Sequence, residues 1–405
     1  MKLPGRQFGF TLILWALSIA FLFVGNAVAT QRLNVSTDDF GAFDVVPAVV
    51  TEIIERDEWS HDMGSGFVIS HTVITFTARI TGGESRGQVV LAEHYLDGLV
   101  ARNEREVAAG DRILMYYDEF LERYSFVDYV RINYIVILGI VFFALMVLFG
   151  GKKGFNSIVA LGFTCLAIFW VLVPAILGGR NIYLTAIIVC VYIIASTLLT
   201  VIGPNKKAYS AMLGCFGGVL LAGLLMRFMD IILNLTGVMD EESQFLLLLP
   251  IDAPLNMSAI VFAGVVIGAV GAIMDVAMSI SSSLWEVSLA GDNELGFSRI
   301  FKSGLNIGKD ILGTMLNTLI LAYIGSALSL ILLISFYAYG TSLLELFNRE
   351  MIAVELLRAL IGSFGIFLAV PLTSGICGWL YAGNKAAPPQ SGFSSSAPEK
   401  YDSNW

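Results

Sequence analysis

The sequence predicts a mainly α, polytopic helical membrane protein of about eight transmembrane helices, carrying one small β-rich extracytoplasmic domain. Three observations predict it. The chain of 405 residues is 56% hydrophobic and only 14% charged, against roughly 25% charged in ordinary soluble domains, and a soluble fold of that size could not cover so much apolar surface. Apolar runs of about 20 residues, the length that crosses a bilayer as a helix, recur eight times along the chain. The whole net charge of −9 sits in one polar block, because residues 31–131 hold 18 acidic and 9 basic side chains and the rest of the chain holds 15 of each.

The first run, Phe8–Val28, follows Lys2 and Arg6 and ends at Ala27-Val28-Ala29. Basic residues, an apolar stretch and small residues read equally as a signal anchor or as a cleavable signal peptide over residues 1–29.

Residues 30–131 form the extracytoplasmic domain and read mostly as strands. Val45–Ile54 is rich in Val and Ile, and Gly66–Ile80 alternates β-branched and polar residues before a Thr81-Gly82-Gly83 turn. Gln88–Leu91 and Arg112–Tyr117 are shorter strands, the second introduced by Ala109-Gly110-Asp111. Several short strands in about 100 residues suggest a small barrel or sandwich, with Glu119–Arg131 leading into the second span. The four cysteines all lie in apolar stretches, so this domain must fold without disulfides.

Residues 132–383 hold seven further runs: Asn133–Phe149, Ser157–Leu177, Ile182–Ile202, Ala211–Leu233, Ser258–Ser283, Ile311–Ser335 and Ala359–Leu380. Short connections rich in Lys and Arg stay on the cytoplasmic side. With eight crossings, Lys152, Lys153, Lys206, Lys207, Arg299, Lys302, Lys309 and Lys385 all fall there, which leaves residues 30–131 outside and the C-terminus cytoplasmic. Phe245–Leu249, followed by Pro250 and Pro254, reads as interfacial or re-entrant. Phe297, Ile300, Phe301 and Leu305 share one helical face and read as a short helix on the inner membrane surface. Residues 384–405 read as a disordered cytoplasmic tail.

Polar residues are costly inside a span, and therefore informative. In the sixth run, Gly264, Gly268 and Gly271 are spaced to let another helix approach closely, and Asp275, Ser279 and Ser282 share one face. In the seventh, Asn306, Asp310, Thr314 and Asn317 again share one face, bordered by Lys309 and Thr318. At 1.5 Å per residue, Asp275 lies about 12 Å from the inner end of its helix. With the next helix starting near Ile307, Thr314 is about 10 Å deep, Asn317 about 15 Å and Asp310 about 5 Å. Asp275 should thus face Thr314 and Asn317 across an antiparallel hairpin, and Asp275, Ser279, Ser282, Asp310, Thr314 and Asn317 are the candidate transport or ion-path residues. Lys309 and Asp310 also read as an interfacial pair at a helix start, and Glu355 with Arg358 as a pair one turn apart.

No catalytic residue, cofactor or metal site is expected. His61, His71 and His94 are separated by 10 and 23 residues, which fits no zinc motif, and no P-loop, nucleophile elbow or His-Glu-x-x-His is present. The acidic block would repel nucleic acid.

Two stretches, Gly268-Ala-Val-Gly-Ala-Ile-Met-Asp-Val-Ala-Met-Ser-Ile-Ser-Ser-Ser283 and Gly308-Lys-Asp-Ile-Leu-Gly-Thr-Met-Leu-Asn-Thr-Leu-Ile-Leu-Ala-Tyr323, carry a resemblance to the YibE/F-like family of bacterial multispanning membrane proteins. The likeness runs from Ala42 to the last span. It implies a bacterial cytoplasmic-membrane protein, described at most as a predicted permease, and supplies no mechanism.

The expected function is transport of a small solute or ion along a polar path between the sixth and seventh helices. The alternative is a non-transporting scaffold or sensor whose outer domain binds an envelope protein partner. An intramembrane aspartyl protease fits poorly: Ile307-Gly308-Lys309-Asp310 lacks the first part of the Gly-x-Gly-Asp motif, and Asp275 and Asp310 sit about 8 Å apart along the membrane normal, whereas a catalytic dyad shares one site.

Overall fold

The computed structural model describes residues 4–31, 44–62, 68–98, 105–119, 121–248, 254–291, 295–337, 340 and 342–382. The chain divides into two compact units, Ser36–Phe149 and Met1–Val35 with Gly150–Trp405. The tail expected at 384–405 and the start of the strand expected at Gly66 lie outside the described residues.

The smaller unit is a closed five-stranded barrel built from β1 (Val45–Asp62), β2 (Val68–Ile80), β3 (Val89–Leu96), β4 (Arg112–Asp118) and β5 (Arg123–Tyr129), in the order β1-β2-β3-β5-β4. The long β1 pairs antiparallel with β2 and, over Val45–Val49, with β4. Two irregularities of register, at Val50/Glu52 and Ile53/Glu55, bend it enough to serve both neighbours. Alternation along β2 sends Ile74, Phe76, Ala78 and Ile80 into a core shared with Val50, Ala92, Ile113 and Met115. At the expected turns Gly83 and Gly110 adopt φ of 79° and 92°, which glycine alone adopts freely.

The fifth strand replaces the expected lead-in at Glu119–Arg131. It pairs antiparallel with β4 and parallel with β3, the latter only at Ala92↔Tyr124 and Glu93↔Ser125. An Arg123–Glu93 ion pair crosses that short seam. Beyond it His94 is buried at 2% exposure with its ring 4.0 Å from that of Phe126. Burial lowers the His94 pKa to about 4, with Glu106 opposing the shift.

Seven helices are long and apolar enough to cross a membrane, counted among the described residues. The run Ile132–Leu177 has 46 residues, about 70 Å of helix, and so contains two of the eight expected runs. Within α2 (Ile132–Leu166) the break between them falls at Gly151, whose φ is 53° and ψ −131°. A π-helical segment, Ala167–Leu172, precedes α3 (Val173–Leu177); Pro174 cannot donate to the ladder, and the widened turn absorbs that loss. Then come α4 (Ile182–Val201), α5 (Lys206–Leu233), the short α6 (Glu241–Leu247), α7 (Met257–Ala290), α8 (Phe297–Ser326), α9 (Leu328–Tyr337), α10 (Leu343–Phe347) and α11 (Glu350–Tyr381). The first helix, α1 (Pro4–Thr30), packs against α3, α4 and the π-helical segment. Phe21 stacks on Tyr192 at 4.1 Å, and Arg180 donates to the Val28 carbonyl at 2.7 Å.

Two expectations change. Phe297–Leu305 is not a separate surface helix but the first turns of α8, which therefore starts about ten residues before Ile307. The run Ile311–Ser335 is divided between α8 and α9. The segment at Phe245 is the end of α6, capped by Asp240 and Ser243, while Leu249 and Pro250 fall outside the described residues.

Helix α11 packs against α5, α7 and α8. A Cβ placed on Gly304 of α8 would meet Ser374 Cβ at 2.7 Å, and one on Gly308 would meet Val370 Cγ1 at 2.2 Å. The close approach thus occurs there. The expected site of approach, Gly264-Gly268-Gly271, faces open space except for the Tyr323 hydroxyl, 3.6 Å from a Cβ on Gly268.

Two outcomes are expected. Gly304→Ala overpacks the α8–α11 contact and costs about 1–3 kcal/mol in detergent thermal unfolding, while Gly313→Ala, with nothing within 4 Å, is neutral or gains up to about 1 kcal/mol. The neutral His94 form is favoured by folding, so the stability it contributes is complete above pH 6.5 and is lost as pH falls towards 4. At pH 5 that loss amounts to about 2 kcal/mol. Peptide-resolved hydrogen exchange of the full chain should show β3 opening more readily at pH 5 than at pH 7, and His94→Phe should abolish the difference.

Candidate functional site

Helix α7 is started by Asn256, whose side chain accepts from the Ala259 amide. It turns its apolar side inward, burying Val266, Ala269, Val270, Ile273, Val276, Ala277 and Ile280. Residues at a helical period from Gly264 therefore face away from the core. Gly264, Gly268, Gly271 and Asp275 are exposed, and Ser279 and Ser282 are half-buried.

Helix α8 repeats the arrangement. It buries Ile300, Gly304 and Gly308, which leaves Lys302, Asn306, Lys309, Asp310, Thr314, Asn317 and Thr318 exposed on the other side. These positions recur every three or four residues and form one polar stripe along a helix of membrane-spanning length.

The two helices are packed neighbours. Their heights are tied at one end by Gly304, where a Cβ would lie 2.9 Å from Leu284 Cδ1, and at the other by Gly268, beside Tyr323. Interpolation between these contacts puts Asp275 near the level of Thr314. The side chains do not meet, however. Thr314 turns its hydroxyl to the Ile311 carbonyl at 2.9 Å and Thr318 to the Thr314 carbonyl at 2.9 Å. Among the described residues, Asp275, Ser279, Ser282 and Asn317 have no hydrogen-bond partner. Lys309 and Asp310 lie in the body of α8 rather than at its start and form no ion pair with a described residue. Glu355 and Arg358 do pair, at 2.8 Å.

The buried polar groups of the bundle lie elsewhere. Asp230 of α5 is 5% exposed and accepts from Ser258 of α7 at 2.6 Å and from Tyr183 of α4 at 3.4 Å. Arg227, one turn before it, completes an ion pair and lies over the Tyr183 ring at 5.0 Å. A second cluster joins Ser281 of α7 to the Tyr381 hydroxyl of α11 and the Lys207 carbonyl of α5, both at 2.8 Å. Sequence reasoning passed over both. An arginine and an aspartate three residues apart inside the fifth apolar run were the available signal for the first; an ordinary serine and tyrosine gave none for the second.

Seven long apolar helices, a packed bundle and a polar stripe along two of them define a multi-pass helical membrane protein with a small β-barrel unit. The family of YibE/F-like proteins matches residues 138–383. The chain belongs to that family. The match begins inside α2 and leaves the barrel outside it, so it is shorter than the expected likeness from Ala42. No curated protein and no solved structure is a match.

Removing a buried, bonded carboxylate strands its partners, whereas removing an unpartnered one strands nothing. Asp230→Ala should therefore destabilise the bundle by about 3 kcal/mol, and Asp275→Ala by less than about 1 kcal/mol, in thermal unfolding of the purified full chain. Equal losses at the two positions would contradict this division between a partnered and an unpartnered carboxylate.

Proposed function

We propose that the chain is a permease of the bacterial cytoplasmic membrane. A small solute or ion moves along the polar stripe of α7 and α8, and Asp275 is the group that binds or releases a cation. The observation that carries this reading is the state of Asp275: a carboxylate within a membrane-length apolar helix, unpartnered among the described residues, near the level of Thr314 and on the face the bundle does not fill. Placing an aspartate at the centre of a span costs about 2.5–3.5 kcal/mol, and neither an ion pair nor a hydrogen bond from a described residue offsets it here. Water and a cation along a hydrated path would.

Asp310, Asn317, Ser279 and Ser282 extend that path as neutral or charged oxygen donors, the ligand chemistry suited to hard cations. Lys302 and Lys309 mark its cytoplasmic end in the orientation that basic connections favour. The barrel then lies outside. The proposed role is non-enzymatic, since Asp310 is displaced from the level of Asp275 by about one helical turn and the two do not form a dyad.

Flux through proteoliposomes tests the proposal. With a pH-sensitive or a sodium-sensitive dye entrapped and a gradient imposed, the full chain should move one of the two cations. Asp275→Asn should lower that flux at least about tenfold, equivalent to about 1.4 kcal/mol of barrier, and Asp275→Glu should retain part of it. A wild-type chain that moves neither cation, or an unchanged flux in Asp275→Asn, would overturn the reading in favour of a scaffold or sensor acting through the barrel.

A further inference from the structure

The barrel unit contains a cleft of about 1200 Å³, larger than the roughly 300–1,000 Å³ of ordinary small-molecule pockets. Its origin is the short β3–β5 seam. Pairing stops after Glu93↔Ser125, and the cleft opens where β3 continues as His94 and β5 as Phe126–Tyr129. The first turn of α2, at Asn133–Ile135, forms another wall.

The charges around it are unlike those of the rest of the domain. Three arginines line the cleft, Arg105, Arg112 and Arg131, against two aspartates, Asp111 and Asp128. Arg105 pairs with Asp111 at 2.8 Å and Arg131 with Asp128 at 2.6 Å. The Arg131 bond holds the Asp128 carboxyl below its usual range, so that pair keeps its charge. Arg112 forms no ion pair with a described residue and is the surplus cation. In a domain with 18 acidic and 9 basic residues, the cleft is locally positive. Within it His94 is 2% exposed, and its Nδ1 is buried with no hydrogen-bond partner among the described residues. A buried polar nitrogen without a partner costs about 1–3 kcal/mol, and a bound ligand would supply one.

The α2 wall identifies the ligand's source. Helix α2 belongs to a run long and apolar enough to cross a membrane, and its first turn carries Tyr134, 75% exposed, immediately after Arg131. Tyrosine and arginine at the start of a span sit at the level of lipid headgroups. We infer that this cleft binds the phosphodiester headgroup of an anionic phospholipid, with Arg112 as the unpaired cation and His94 as the buried polar wall. A guanidinium fork matches two phosphate oxygens, and the volume admits a headgroup with its glycerol where a free phosphate would rattle. The inference does not depend on transport by the bundle.

Native mass spectrometry of the purified full chain in mild detergent tests it, with phosphatidylglycerol, phosphatidylcholine and inorganic phosphate as the probes. The chain should bind one more phosphatidylglycerol than Arg112→Ala does, and that molecule should be held roughly tenfold more tightly. Phosphatidylcholine should bind both proteins alike, and millimolar inorganic phosphate should displace nothing. Arg86→Ala, at an exposed cation outside the cleft, should retain the wild-type stoichiometry. Three results would overturn the inference: equal phosphatidylglycerol binding by the chain and Arg112→Ala, an equal loss in Arg86→Ala, or displacement by inorganic phosphate, which would reassign the cleft to a soluble anion.

Discussion

Lipid tails are as apolar as leucine, so the helices of a bilayer protein gain little from mutual burial of hydrophobic surface and must be held by contact distance. In this bundle that condition falls on α11, which packs against α5, α7 and α8 at once. The approach is set by residues without side chains. Gly304 and Gly308 receive Ser374 and Val370, Gly214 receives Thr373, and Gly365 receives Ile273, each at a distance that an added Cβ would violate. With three neighbours drawn in this tightly, the orientation of α7 and α8 about their axes is fixed by van der Waals contact. Their polar faces are then turned outward as a consequence and not by any attraction of their own.

The same packing sorts the charged groups. Asp230 lies between α4, α5 and α7 with a serine, a tyrosine and an arginine to satisfy it, the condition under which a buried carboxylate is tolerable. Asp275 is exposed, on the side that no described helix covers, and has none of these among the described residues. Two aspartates in apolar helices thus have opposite environments, and the difference is geometric: one is buried between packed helices and the other is exposed on a face away from them. Stability requires the first arrangement. The second adds nothing to stability, which is why a functional reading attaches to Asp275 and not to Asp230.

Much of this was legible in the sequence, because length and periodicity report directly on membrane spans and on alternating strands. The sixth and seventh runs were expected as neighbours in a hairpin, and α7 and α8 are packed against each other. Burial of a carboxylate was not legible, since it depends on α4 and α7 bringing Tyr183 and Ser258 to Asp230. The glycine motif on α7 pointed to the wrong contact for a related reason: small residues permit approach, but only a partner of complementary shape uses it, and that partner is presented by α11 to α8. β5 escaped notice because Arg123–Tyr129 interleaves charged and aromatic residues without a clean apolar face; its burial pattern is mostly intermediate, as expected of a strand paired at a short seam.

The family match starts within α2 and omits the barrel, and the two units differ in their cations as well. All nine lysines of the chain lie outside residues 31–131, where every basic residue is an arginine. Lysine is a strongly hydrated point charge suited to flanking a span, whereas arginine keeps a planar fork of donors and its charge at any pH, and it stacks on aromatic rings. Tyr129 shows the use made of this, with the Arg105 and Arg131 guanidinium carbons 5.5 and 5.8 Å from its ring centroid. Three of the nine arginines of this acidic block line one cleft. The bundle and the barrel therefore present different chemistry: the bundle exposes carboxyl and amide oxygens along α7 and α8, the barrel gathers arginine side chains around its cleft.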